Sequence, residues 1–198
     1  MTLRTPCAMF TALTLLALAA CTTVPPAPPP SGQWDARRAA LQARDQFELN
    51  GRIAVAADRE GFSAKLRWQQ QGAQSRLALE GPLGVGGVRI TAQGDRLEVI
   101  NSRGQTLDSA AARSEVAAKL GFDPPISSLR YWVQGVPDPA FPADEVLDAD
   151  QRLLTLRQDG WQIDYTSYST VGGQWLPSRM TLMRGNVRVK LLVEGWGS

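Results

Sequence analysis

The sequence predicts a mainly β fold: a strongly curved antiparallel sheet or incomplete barrel, with short helices covering its opening. Three observations carry this. Apolar and polar residues alternate along many short segments, the period of half-buried strands. Turn signals at Gly72, Gly94-Asp95, Asp159-Gly160, Gly172-Gly173 and Gly185-Asn186 separate those segments. Two helical stretches break the rhythm midway, so the order reads helix, about five strands, two helices, about five strands.

The chain opens MTLRTPCAMFTALTLLALAAC, with Arg4 ahead of an apolar run from Phe10 to Ala20. That run is too short for the roughly 20 residues of a spanning helix and fits the apolar region of an export signal. It ends in Leu18-Ala19-Ala20-Cys21, which resembles the lipobox of bacterial lipoproteins. The resemblance implies a signal peptide over 1–20, cleavage before Cys21 and acylation of Cys21. A plain secretory signal with a chance cysteine fits less well, because two small residues directly before a cysteine are a specific combination. Thr22 stands where lipoproteins retained in the inner membrane carry Asp, which implies the outer membrane, on its periplasmic side. Residues 21–33 continue as TTVPPAPPPSGQ after the cysteine, a composition that favours extended polyproline II and a semi-rigid tether. A proline-rich ligand for a partner is the lesser reading.

Element by element, WDARRAALQARDQ (34–46) is rich in Ala and Arg and predicts a helix. Phe47, Leu49, Ile53 and Val55 then alternate with polar or small residues, as do Phe62, Ala64, Leu66 and Trp68. The pattern recurs at Leu77/Leu79, Val88/Ile90, Leu97/Val99, Leu154/Leu156, Trp161/Ile163/Tyr165, Met180/Leu182 and Val187/Val189/Leu191/Val193. In between, DSAAARSEVAAKLG (108–121) predicts a helix opened by Asp108 or Ser109 and closed by Gly121. SSLRYWVQG (127–135) predicts another, bounded by Pro124-Pro125 and Gly135, with Leu120, Trp132 and Val133 as apolar cover for the sheet. Periodicity does not separate a packed interior from a hollow one, though a half-closed barrel under short helices is a shape that can hold an acyl chain.

Charge and composition narrow the function. The formal net charge is only +2 and the basic residues are dispersed, which argues against nucleic acid. Arg184, Arg188 and Lys190 gather near the last hairpin, where lipid headgroups or an acidic partner are one reading and a solvated strand face is the preferred one. The chain has no histidine, which removes His-based acid–base chemistry, His-dependent nucleophiles and His-ligated metals. Cys7 and Cys21 are the only cysteines, so the mature domain has no disulfide and its core must suffice alone. No G-x-S-x-G or phosphate-loop lysine occurs, and Asp144, Glu145, Asp148 and Asp150 lack calcium-loop spacing, reading as a solvated connection. Neither cofactor nor metal is expected, and an enzyme is the weak hypothesis.

One loop is unusual. EGPLGVGG (80–87) places Leu83 among glycines, next to Pro82 and Gly84. Gly81 to Gly84 fits a type I turn that tolerates Leu, which could fold back onto the domain. Polar residues would serve an exposed tip equally well, whereas burying a Leu in a membrane or partner gains about 1.5–3 kcal/mol.

Taken together, these residues resemble the LolB family, outer-membrane lipoproteins that receive other lipoproteins from the periplasmic carrier LolA. The resemblance runs from Trp34 to Trp196 and rests on GRIAV (51–55), SAKLRW (63–68), GPLG (81–84) and the array Pro125, Leu129, Trp132, Gly135, Pro137. GWQIDY (160–165), LP (176–177) and RVKLLVEGW (188–196) complete it. It implies a lipoprotein-binding β-domain over 34–198: an open antiparallel barrel of about eleven strands with about three α-helices as its lid, without enzymatic activity. The cavity for acyl chains is then expected among Phe47, Leu49, Ile53, Val55, Phe62, Leu66, Trp68, Leu79, Ile90, Leu97 and Val99 from the first half. Leu120, Trp132, Trp161, Ile163, Tyr165, Leu182, Val189 and Leu191 supply the rest. By motif, the family's membrane-inserting leucine falls on Leu83, flanked by Pro82 and Gly84. Expected partners are a LolA-like carrier, lipoprotein cargo and outer-membrane phospholipid, with the chain itself a monomer. An outer-membrane assembly lipoprotein with a solid core and no acyl cargo is the alternative. The proline-rich tether, Val133 in place of a common Leu and the glycine-rich loop depart from the family pattern.

Overall fold

A computed structural model describes residues 33–57, 60–81, 87–94 and 96–197. Helix α1 (Gln33–Ala43) is followed by strands β1 (Gln46–Ala57), β2 (Glu60–Gln71), β3 (Gln74–Glu80), β4 (Val88–Gln93), β5 (Arg96–Ile100) and β6 (Thr106–Asp108). Helices α2 (Ser109–Leu120) and α3 (Ile126–Trp132) come next, and then β7 (Ala143–Leu147), β8 (Leu153–Gln158), β9 (Trp161–Val171), β10 (Gln174–Arg184) and β11 (Val187–Gly197). All eleven strands form one antiparallel sheet in the order β6-β5-β4-β3-β2-β1-β11-β10-β9-β8-β7. The first and last strands therefore pair at its centre, and the two helices between β6 and β7 join its two free edges. This is the expected mainly β, open-barrel architecture with three helices.

The central pairing depends on a glycine. The β1–β11 register shifts between Asn50 and Gly51, and a Cβ on Gly51 would stand 2.2 Å from the Leu192 carbonyl oxygen. Only a residue without a side chain permits that approach. Pro177 lies at a similar irregularity in β10, where the lost N–H donor is tolerated.

Several boundaries differ from the sequence reading. The first helix stops at Ala43, because the alternation of Phe47 and Leu49 already belongs to β1, and Arg44 turns back over the Phe47 and Trp196 rings. Strand β6 is three residues long, too short to leave a period. Asp108 is the N-cap of α2 without a side-chain cap bond, and Gly121 closes that helix in the left-handed region at φ 77°. In β8 the buried apolar residues are Leu153 and Leu156, while Leu154 is 49% exposed. A register shift between Val146 and Leu147 interrupts the simple alternation. Nor is the acidic stretch a mere solvated connection, since residues 143–147 form an edge strand. Glu145 accepts from Trp34 Nε1 at 2.5 Å and from Arg38 Nη1 at 3.0 Å, while Asp148 and Asp150 hold Arg152 at 2.8 and 2.7 Å. Helix α1 thus covers the exposed edge of the sheet.

Candidate functional site

The inner face of the sheet carries two hydrophobic clusters. The larger gathers Phe47, Leu49, Trp132, Trp161, Ile163 and Tyr165 with their neighbours, and the smaller packs Val88, Ile90, Leu97 and Val99 against Ala112 and Val116 of α2. Where the two meet lies a cavity of about 80 Å³ with only apolar residues in its wall. Ile53, Val55, Leu66, Trp68, Leu79 and Ile90 come from one half of the barrel, and Trp161, Leu182, Val189 and Leu191 from the other. Leu120, Phe122, Pro124, Pro125, Ile126, Leu129 and Val133 close it from the helical side.

The remaining expected residues are distributed more widely. Phe62 lines a neighbouring groove of about 300 Å³ beside Gly81, together with Leu79, Ile90, Val116 and Leu120. Leu97 lines a second groove, of about 440 Å³, which shares Pro124, Pro125 and Ile126 with the cavity. Phe47, Leu49, Val99, Trp132, Ile163 and Tyr165 are at most 2% exposed and pack in the clusters outside the cavity wall. Leu77, Phe122, Pro124, Pro125, Ile126 and Leu129 belong to the wall without having been singled out as lining. The apolar residues flanking the Pro-Pro pair were the available signal, read instead as a helix boundary. Cys21 and the loop residues Pro82, Leu83 and Gly84 lie outside the described residues.

The two central helices are held very differently. Helix α3 is bolted down by polar contacts: Trp132 Nε1 donates to Gln158 Oε1 at 2.7 Å, and the Trp132 carbonyl accepts from Tyr165 Oη at 2.9 Å. Gln158 also donates to the carbonyls of Asp138 and Phe141 at 2.9 Å each, and the Ser128 hydroxyl donates to Asp138 at 2.7 Å. On its other flank Arg130 Nη1 reaches the Gly72 carbonyl at 3.2 Å. Helix α2 meets the sheet at β5 and β6, chiefly through Ala112 and Val116. Burial, with a smaller contribution from neighbouring Tyr168, pushes the Tyr165 hydroxyl well above its ordinary pKa. Burial likewise raises Tyr168, whose hydroxyl donates to the Leu153 carbonyl at 2.6 Å. Neither is poised for proton transfer near neutrality. Among the described residues no group of three or more acidic or thiol side chains is placed to hold a metal ion.

An open antiparallel barrel with an apolar interior under helices defines a half-barrel class of protein. A solved member of that shape, a DUF1329 family protein from Desulfovibrio piger, has a TM-score of 0.57 at 8% identity, over 82% of this chain and 89% of that one. At such identity the likeness concerns the fold alone. The sequence is more specific: the family model described as "Outer membrane lipoprotein LolB" matches residues 45–196. The outer-membrane lipoprotein LolB of Pseudomonas putida F1 is 39% identical over 166 residues, 83% of this chain and 80% of that protein. That of Nitrosococcus oceani is 32% identical over 188 residues, 93% of this chain and 94% of the relative. The chain belongs to the LolB family.

Proposed function

We propose that the protein, an outer-membrane lipoprotein of a Gram-negative bacterium, accepts lipoproteins from a LolA-like periplasmic carrier and delivers them to the outer membrane. Cys21 carries its own lipid anchor, and residues 21–33 tether the domain. The observation that carries this reading is the apolar cavity at the junction of the two clusters, closed by the residues that link α2 to α3. In the described state that cavity, at about 80 Å³, is smaller than the roughly 150 Å³ of an apolar cavity that takes up a single benzene. Acyl chains therefore enter only when α2 moves outward and merges the cavity with the grooves of about 300 and 440 Å³ on either side. Burying each methylene there contributes about 0.8 kcal/mol, enough over a chain to compensate for separating Ala112 and Val116 from β5. No step requires chemical catalysis.

The test is transfer from a carrier–lipoprotein complex to the full chain carrying Cys21→Ala. Cargo is expected to move onto it and to co-elute with it in size-exclusion chromatography. Cargo that stays with the carrier sinks the acceptor reading and leaves the solid-core alternative. For the loop, Leu83→Glu is expected to keep uptake while lowering delivery to vesicles, measured by flotation; equal loss of both steps would remove the inserting role from Leu83.

A further inference from the structure

We propose that the groove above the α2–α3 connection binds the phosphate of a phospholipid whose acyl chains enter the apolar cavity. The proposal rests on the acyl-chain reading of that cavity and adds a ligand class and a headgroup site. The groove of about 440 Å³ and the cavity share Pro124, Pro125 and Ile126, so they are two compartments on either side of one apolar sill. One compartment is wholly apolar. The other is lined by Arg96, Arg130 and Arg184.

Those three arginines have no ion-pair partner among the described residues. Arg130 Nη1 and Nη2 donate to the Gly72 carbonyl and the Tyr131 hydroxyl, both neutral, and its buried Nε has no acceptor. Arg184 lies over the Trp161 ring at 5.3 Å, and Trp161 also lines the cavity, so one stacked pair touches both compartments. Asp123 and Asp159 line the groove as well, as does Arg113, and arginine remains in excess. An arginine excess at the mouth of an apolar pocket matches an anionic amphiphile, because guanidinium groups meet phosphate oxygens with paired hydrogen bonds. The lipid anchor of a lipoprotein offers esters and an amide at this point, with no phosphate. A phospholipid fills both compartments and competes with cargo for the same apolar volume.

The experiment compares dioctanoyl phosphatidylglycerol with dioctanoylglycerol, which has the same chains without the phosphate, by calorimetry on the full chain carrying Cys21→Ala. The phospholipid is expected to bind about tenfold more tightly. Arg96→Glu, at an exposed position that does not line the cavity, is expected to remove that preference and leave dioctanoylglycerol affinity within about twofold. Arg96→Gln, less apt to disturb the fold, is expected to reduce the preference about threefold. Equal affinities in the unaltered groove, or a preference that survives in both variants, overturns the headgroup site while leaving the acyl cavity intact. If neither lipid binds, the acyl-cavity reading itself falls.

Discussion

Gly51 and Gln158 are two residues on which much of the geometry depends. A methyl group at Gly51 collides with the backbone of β11, so Gly51→Ala is expected to destabilise the domain by about 1–3 kcal/mol, read from urea midpoints. Gln158 is 3% exposed, accepting from Trp132 Nε1 and the Asp138 N–H and donating to two carbonyls. Gln158→Leu leaves these buried groups unmatched at about 1–3 kcal/mol for each one left unpaired. The sequence displays both residues but not their partners, which are 141 and 26 positions away for Leu192 and Trp132. The buried tyrosines set an alkaline limit. Their hydroxyl pKa values are raised in the folded state, so their contribution is complete below the unfolded value near 10 and is lost as pH rises through the folded ones. Tyr165→Phe is expected to flatten the decline of stability above about pH 10, by up to one proton or about 1.4 kcal/mol per pH unit. An unchanged slope in urea denaturation at alkaline pH would show that Tyr165 does not report this transition.

At the scale of elements, the polar contacts that fix α3 leave α2 as the element proposed to move. Amides of α2 are expected to exchange with deuterium faster than those of α3, and to gain protection when cargo is bound; equal exchange would remove α2 as the moving part. A cross-link tests the same motion. A Cβ on Gly121 would lie 2.7 Å from the Ala57 Cβ, so cysteines at these positions can reach the usual separation of about 3.8 Å, at the cost of strain from a side chain at φ 77°. Ala57→Cys/Gly121→Cys is expected to block cargo uptake when oxidised and to permit it when reduced. Most strands were legible because one face of each is wet and the other dry, the condition that produces a period of two. The exceptions have specific causes. Thr106–Asp108 is too short to show a period, a register shift displaces Leu154, and the polar face of Ala143–Leu147 is matched by α1, distant in sequence. The cavity was partly legible for a different reason: alternation identifies inward residues but gives the same pattern whether they touch one another or face a space.

For the whole molecule, the absence of histidine has a measurable counterpart. No side chain is left whose ordinary pKa falls between about 5 and 8. Asp148 is shifted away from that range: its partial burial raises the pKa, and the hydrogen bonds and charge of Arg152 together outweigh this and hold it below the usual carboxylate value. Its stabilising contribution is therefore present above the unfolded pKa near 4 and lost only as pH falls through the lower folded value. Stability and cargo transfer are expected to stay level from about pH 5.5 to 8.5, and a step inside that window would contradict this. The pairing of β1 with β11 has another consequence, one of timing. The two halves of the sheet are joined along Glu48–Ala57 and Val187–Gly197, so the strand that unites them is made after every other described strand. Until it arrives, one edge of β1 has no partner strand. A chain ending at Asn186 is expected to remain protease-sensitive throughout, with neither half resistant by itself. On this pairing, the sheet is joined across its middle only when β11 docks on β1.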